Sequence, residues 1–211
     1  MRSIFNRIID KNKFFLQLFV AWIIFAFVLI LLFTDKQIFY FVNQHHTLLL
    51  DYCMTSFSAL GRGESVTIVF SSLFIFKKYR TKKYLIATIL FGILTTLISF
   101  FIKGFYNRLR PLSFFNDAQI HTVPWLENLY NYSFPSGHTM GAFGFFLMLN
   151  YFLPSKNKWQ SFLLFSLALC TGYSRLYLGQ HFFTDVIGGS AIGIIITLFI
   201  LIFVKKYFES K

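Results

Sequence analysis

The sequence predicts an all-α fold: a polytopic membrane bundle of six transmembrane helices, with an amphipathic interfacial helix after the first. Three observations predict it. Hydrophobic residues make up 56% of the 211-residue chain and charged residues only 13%, a balance foreign to ordinary soluble domains. Several apolar runs approach the roughly 20 residues needed to cross a hydrocarbon core of about 30 Å. The net charge of +12 falls on one side when those runs are threaded through a bilayer.

Residues 1–13 read as a basic cytoplasmic arm. The first span, 14–33, exceeds the apolar region of a cleavable signal, and Leu32-Phe33-Thr34-Asp35 offers no small-residue cleavage site, so it is expected to stay as an anchor. Over 36–60, Ile38, Phe41, Val42, Leu48, Met54 and Phe57 recur at helical intervals, which predicts one interfacial helix. Gly61-Arg62-Gly63 ends it. The run 66–76 is short for a crossing and needs 61–65 to complete it. A tight basic turn ending in Thr81-Lys82-Lys83 leads to the third span, 84–102. The polar stretch 108–134, with Pro111, Asn116, Asp117, Pro124 and Glu127, predicts an extracytoplasmic loop. Spans at 138–153, 159–178 and 182–204 complete a single membrane-embedded domain over 1–211, without internal repeats. Cys53 and Cys170 predict no disulfide.

With six crossings and both termini on one side, that side receives Arg2, Arg7, Lys11, Lys13, Lys77, Lys78, Arg80, Lys82, Lys83, Lys156, Lys158, Lys205, Lys206 and Lys211 against only Asp10 and Glu209. The other side holds six cations and six acids. Cytoplasmic loops carry such an excess of lysine and arginine. The basic charge therefore reflects membrane orientation, and nucleic acid is not an expected partner. The chain is placed in the cytoplasmic (inner) membrane with both termini inside.

Three polar clusters interrupt the apolar pattern, all at the outer ends of spans. Ionisable groups at membrane depth are expensive and mark function. Lys103 closes the third span, and Arg110-Pro111 follows seven residues later. Pro135-Ser136-Gly137-His138 opens the fourth; Ser136 reads as an N-cap, and the free N–H groups of a helix start, with the dipole behind them, attract anions. Gly137 lets a phosphate approach closely, and His138 can deliver a proton. Ser174-Arg175 ends the fifth span. His181 and Asp185, spaced i and i+4, are expected to share a helix face, with Asp185 orienting the imidazole. Singly, each cluster has a bland reading: a capped helix, snorkelling anchors (Arg108 among them), a structural His–Asp pair. Their common membrane face argues against coincidence. Asn131-Tyr132-Ser133 matches a glycosylation sequon, too common by chance to carry a role.

Together, Lys103-x6-Arg110-Pro111, Pro135-Ser136-Gly137-His138 and Ser174-Arg175-x5-His181-x3-Asp185 resemble the three-part signature of the type-2 phosphatidic acid phosphatase family, membrane lipid phosphatases that share a fold with vanadium haloperoxidases. Every signature position is filled. The resemblance implies a nucleophilic His181 that forms a phosphohistidine, an orienting Asp185, and His138 protonating the leaving oxygen. Lys103, Arg110, Ser136, Gly137, Ser174 and Arg175 would bind the phosphate. It implies no cofactor and no metal, and the sequence carries no carboxylate cluster or Cys/His ligand set. The implied partners are membrane lipids and a lipid phosphate substrate: undecaprenyl pyrophosphate, phosphatidylglycerol phosphate, phosphatidic acid or a lipid A phosphate. The competing reading is a lipid-phosphate binding or transport protein without chemistry, for which two histidines and an orienting aspartate have no use.

Overall fold

A computed structural model describes residues 2–115, 120–154 and 157–209. Asn116, Asp117, Lys156 and Lys211, invoked above, lie outside the described residues, as do the side chains of Arg2 and Glu209. Among the described residues there are eight α-helices and no strand: α1 (Arg2–Leu32), α2 (Asp35–Gln44), α3 (Leu48–Ala59), α4 (Gly63–Leu73), α5 (Lys82–Tyr106), α6 (Gly137–Phe152), α7 (Lys158–Tyr177) and α8 (Phe183–Glu209). Three segments are long and apolar enough to cross a membrane: Ile4–Leu32, Lys82–Ser113 and Phe183–Phe208.

α6 is the axis of the molecule. Its sequence is apolar around the whole circumference, as expected of a helix enclosed on all sides, and Met140, Phe143, Leu147 and Met148 are fully or almost fully buried. α8, α7 and α1 pack around it. Glycines set how close α8 comes. A Cβ on Gly193 would sit 2.3 Å from the Met140 carbonyl oxygen, and one on Gly189 would sit 2.6 Å from that of Ser136. Only glycine permits this backbone contact, and it brings the start of α8 beside the start of α6. The same end of the bundle receives the C-termini of α5 and α7.

Three expectations need revision. The basic arm is no separate segment, because residues 2–13 form the first turns of α1. There, buried Asn12 accepts a 2.9 Å hydrogen bond from Asn150 of α6, whose Oδ1 accepts another of 2.9 Å from Ser161 of α7. The single interfacial helix is two helices, α2 and α3, broken at His45–Thr47; Thr34 and Thr47 each cap a helix start, where serine, threonine and aspartate compete with helical continuation. α4 holds 11 residues, about 16 Å of helix, roughly half of a hydrocarbon core. Both cysteines are free, as expected.

The loop ahead of α6 is fastened to the bundle. Asn43 of α2 donates to the carbonyls of His121 (2.9 Å) and Tyr177 (2.8 Å) and accepts from the His121 N–H (2.8 Å). The segment after α5 pairs with the segment before α6: the Arg110 N–H donates to the Tyr130 carbonyl and the Ser133 N–H to that of Arg108, each at 2.8 Å. These bonds fix the polar loop over one end of the helices.

Candidate active site

The sequence-predicted residues gather where α5 and α7 end and α6 and α8 begin. Lys103 lies in the last turn of α5, which Asn107 terminates in the left-handed conformation at φ 39°. The chain then turns back, and Arg110 reaches under the loop. Its guanidinium is 5% exposed and donates to the carbonyls of Asn131 and Gln180, both at 2.9 Å. Its Nη1 also stands 3.3 Å from Nε2 of His181.

His181 is 1% exposed and does not belong to a helix. It sits in the turn between α7 and α8, so a shared helix face does not explain its pairing with Asp185. Asp185 lies in the first turn of α8, and its Oδ2 reaches back to accept the Phe182 N–H at 2.8 Å. That cap holds the turn and leaves Oδ2 3.5 Å from Nδ1 of His181. The hydroxyl of Ser133 completes the corner, donating to Asp185 Oδ2 at 2.5 Å while standing 3.5 Å from the same ring nitrogen. Burial pushes the His181 imidazole well below its usual pKa, and the charges of Arg110, Arg175 and Lys103 push it the same way. The ring is therefore neutral at ordinary pH, and Nε2 can accept from Arg110 Nη1.

Ser136 caps α6: its Oγ accepts from the Thr139 N–H at 3.4 Å and meets the Thr139 hydroxyl at 2.8 Å. The Ser136 N–H donates to the Asp185 carbonyl at 3.0 Å, joining the two helix starts. His138 follows in the first turn and lines a cavity of about 830 Å³ together with Lys103, Gly137, Arg62 and Ser99. A Cβ on Gly137 would meet nothing nearer than the Ser99 hydroxyl at 3.7 Å. Packing does not demand glycine there, and the open space lies beside the free N–H groups of the helix. The charges of Arg175, Arg62 and Lys103 bear on the His138 ring, and so does His181. The two imidazoles share one positive environment.

Arg175, 5% exposed, hydrogen-bonds to Ser58 of α3 through Nη1. Its Nε is buried without a hydrogen-bond partner among the described residues. A buried donor left unpaired costs about 1–3 kcal/mol, and an anion oxygen would relieve it. The site therefore suits a phosphate in its charge, its free donors and its space. Ser174 departs from expectation. Its hydroxyl donates to the Thr171 carbonyl one turn earlier, at 2.7 Å, and is committed within its own helix.

Sequence reasoning missed several members of this network. Arg108, read as a snorkelling anchor, instead donates from Nη1 to Asp185 Oδ1 (2.7 Å) and Thr184 Oγ1 (2.6 Å), and from Nη2 to Asp35 Oδ2 (2.7 Å). Ser133, passed over within the sequon, bridges Asp185 and His181. Arg62, read as part of a helix break, lines the cavity. One signal was available: Asp35 and Asp185 stand at the ends of apolar runs, and buried carboxylates require partners.

Known proteins resemble this chain in sequence and fold. The sequence model of the PAP2 superfamily matches residues 80–209. Phosphatidylglycerophosphatase B of Bacillus subtilis (strain 168) is 31% identical over 173 residues, 77% of this chain and 76% of that protein. The lipid A 4'-phosphatase of Porphyromonas gingivalis is 30% identical over 175 residues, 79% of this chain and 71% of that protein. Among solved structures, Aquifex aeolicus LpxE superposes with a TM-score of 0.65 at 32% identity, covering 79% of this chain and 93% of that one.

Proposed function

This chain belongs to the PAP2 superfamily, and we propose from that premise that it is an integral-membrane lipid phosphatase acting through a phosphohistidine on His181. The substrate is a lipid phosphate or pyrophosphate whose tails remain in the bilayer while its headgroup enters from the water–lipid boundary. The carrying observation is that two histidines, three buried or half-buried cations and a glycine-flanked helix start meet at one end of the bundle, with the Arg175 Nε left unpaired there.

Chemistry follows from the placement. A phosphate entering over Gly137 meets the N–H groups of α6, the Lys103 ammonium and the Arg110 and Arg175 guanidiniums. Those donors stabilise the charge that spreads over the non-bridging oxygens in the transition state. Nε2 of His181 attacks phosphorus; the N–P bond forms while the P–O bond to the lipid breaks, and His138, able to take up a proton once the bound anion offsets the surrounding cations, gives that proton to the departing oxygen. Water then attacks the phosphohistidine, losing a proton to His138. Inorganic phosphate leaves and Nε2 regains its lone pair. Ser136 takes its part through the helix start it caps, and Ser174 through holding the end of α7.

The six-crossing topology, with the active site facing the periplasm or cell exterior, is part of the proposal. It is supported by the one-sided charge of the loops. In this arrangement α4 crosses only with the help of the turns that flank it. The enzyme works without metal because cations supply the charge that Mg²⁺ supplies elsewhere.

Phosphate release by the detergent-solubilised full chain, across a panel of phosphatidic acid, phosphatidylglycerol phosphate, undecaprenyl pyrophosphate and lipid A phosphates, tests this reading. The expected result is release that survives EDTA and is blocked by vanadate. Tight binding of these lipids without any release would replace the enzyme with a binding or transport protein.

A further inference from the structure

Arg108 lies two residues before Arg110, which stands beside His181, yet its guanidinium is directed elsewhere. Nη1 holds Asp185 Oδ1 at 2.7 Å and the Thr184 hydroxyl at 2.6 Å. Nη2 holds Asp35 Oδ2 at 2.7 Å. The remaining face lies 5.0 Å above the ring of Phe182, a cation–π contact. Asp35, in the first turn of α2, adds two bonds to the start of α8: its Oδ1 accepts the Thr184 N–H at 3.0 Å and its Oδ2 accepts the Thr184 hydroxyl at 2.5 Å. An anchoring arginine turns its charge to water. This one divides its donors between two carboxylates, one of them with no exposed side-chain surface.

We propose that Arg108 is a positioning residue for His181, acting through Asp185 and itself held by Asp35. The inference rests on the phosphohistidine reading above. Its logic is geometric. Asp185 has two oxygens, and only Oδ2 faces the imidazole. Arg108 occupies Oδ1 and so fixes the rotation of the carboxylate, while Ser133 and the Phe182 N–H fix Oδ2. Arg108 also supplies the positive charge nearest a buried carboxylate, whose other partners are neutral donors. Removing it frees the carboxylate to rotate and leaves its charge uncompensated, so Nδ1 loses a fixed acceptor and the ring loses its aim at phosphorus. Asp35 extends the device to α2: the helix that follows the first span is bonded to the first turn of the catalytic helix.

The test uses the full-length protein in detergent, dioctanoyl phosphatidic acid as substrate and inorganic phosphate as competing anion. Variants are Arg108→Gln, Arg108→Lys and Asp35→Asn, each with its thermal unfolding recorded. Since Arg108 does not touch the anion, Arg108→Gln is expected to lower kcat by about 10- to 100-fold, as when the partners that orient a reacting group are lost. KM and the inhibition constant for phosphate should stay within about twofold. Arg108→Lys should recover part of the loss, and Asp35→Asn should lower kcat by about 3- to 10-fold. An unchanged kcat in Arg108→Gln overturns the inference. So does a joint rise of KM and the phosphate constant, which would put Arg108 on the substrate. Loss that tracks unfolding with no recovery in Arg108→Lys reduces its role to stability. If Arg108→Gln fails to fold, wild-type kcat in the other two variants overturns the proposal. A wild-type protein that hydrolyses no lipid phosphate overturns the functional reading and this inference with it; an active wild type isolates the inference.

Discussion

Two polar clusters are buried among the helices, one at each end of the bundle, and they are built on opposite terms. At the end remote from the catalytic residues, Asn12, Asn150 and Ser161 join α1, α6 and α7 through neutral amide and hydroxyl groups. Asn12 also donates to the Ile8 carbonyl within its own helix at 3.1 Å. These three side chains carry no charge and each has a partner, although Gln160 Nε2 beside Ser161 is buried without one. At the other end, among the described residues, Lys103, Arg108, Arg110, Arg175 and Arg62 share the site with Asp35, Asp185 and Glu64, and one guanidinium nitrogen lacks a partner. The amide cluster closes upon itself, so it holds helices together. The charged cluster carries more cations than carboxylates, so it is poised to receive an anion. Polarity at membrane depth therefore does not by itself distinguish adhesion from catalysis; unpaired charge does.

The comparison breaks most decisively at His181. His181→Ala should reduce phosphate release by about 10⁴-fold or more, since removal of a nucleophile leaves only binding and charge stabilisation. Steady-state release by the purified variant checks it. Arg175→Gln removes a buried charge from the proposed phosphate site and should lower kcat by about 10²–10³-fold. His138→Ala should lower turnover of lipid phosphates by about 10²–10⁴-fold. A substrate with a good leaving group, p-nitrophenyl phosphate, should be far less affected, because its oxygen needs no proton to depart. Equal losses on both substrates would remove His138 from that role.

The amide cluster should respond in the other sense. Asn150→Ala leaves two groups unpaired and should reduce stability by about 0.6–2 kcal/mol while leaving kcat and KM unchanged, as read by thermal unfolding and kinetics on one preparation. A fall in kcat comparable with that of Arg175→Gln would erase the distinction between the two ends.

How much of this was legible in the sequence depends on what each residue answers to. The spacings Lys103–Arg110, Ser136–His138 and Arg175–His181–Asp185 were legible because each lies at the end of an apolar run, and alternating spans bring those ends together whatever the detailed packing. The helix start at Ser136 was equally local: a hydroxyl competes with the backbone there. What escaped depended on long-range contact. Arg108 resembles an anchor until Asp35, 73 positions away, is brought to it. Ser133 was hidden in a triplet of no meaning on its own. His181 and Asp185 were rightly paired for the wrong reason, because i,i+4 spacing assumed a helix that begins only at Phe183. The basic start of the chain was read by charge alone, whereas Ile8 and Asn12 on its inward face make it part of α1. The closeness of α6 and α8, which brings their first turns side by side, rests on Gly189 and Gly193, and a glycine pattern becomes informative only once its partner helix is known.

The central claim is that Nε2 of His181 becomes bonded to phosphorus. Rapid quenching during turnover of a ³²P-labelled lipid phosphate, followed by peptide mapping, tests it directly. The account predicts an acid-labile, base-stable phosphoramidate on His181 that forms and decays at rates compatible with turnover, and is missing from His181→Ala protein. Label on any other residue, or undiminished phosphate release by the His181→Ala protein, would contradict it.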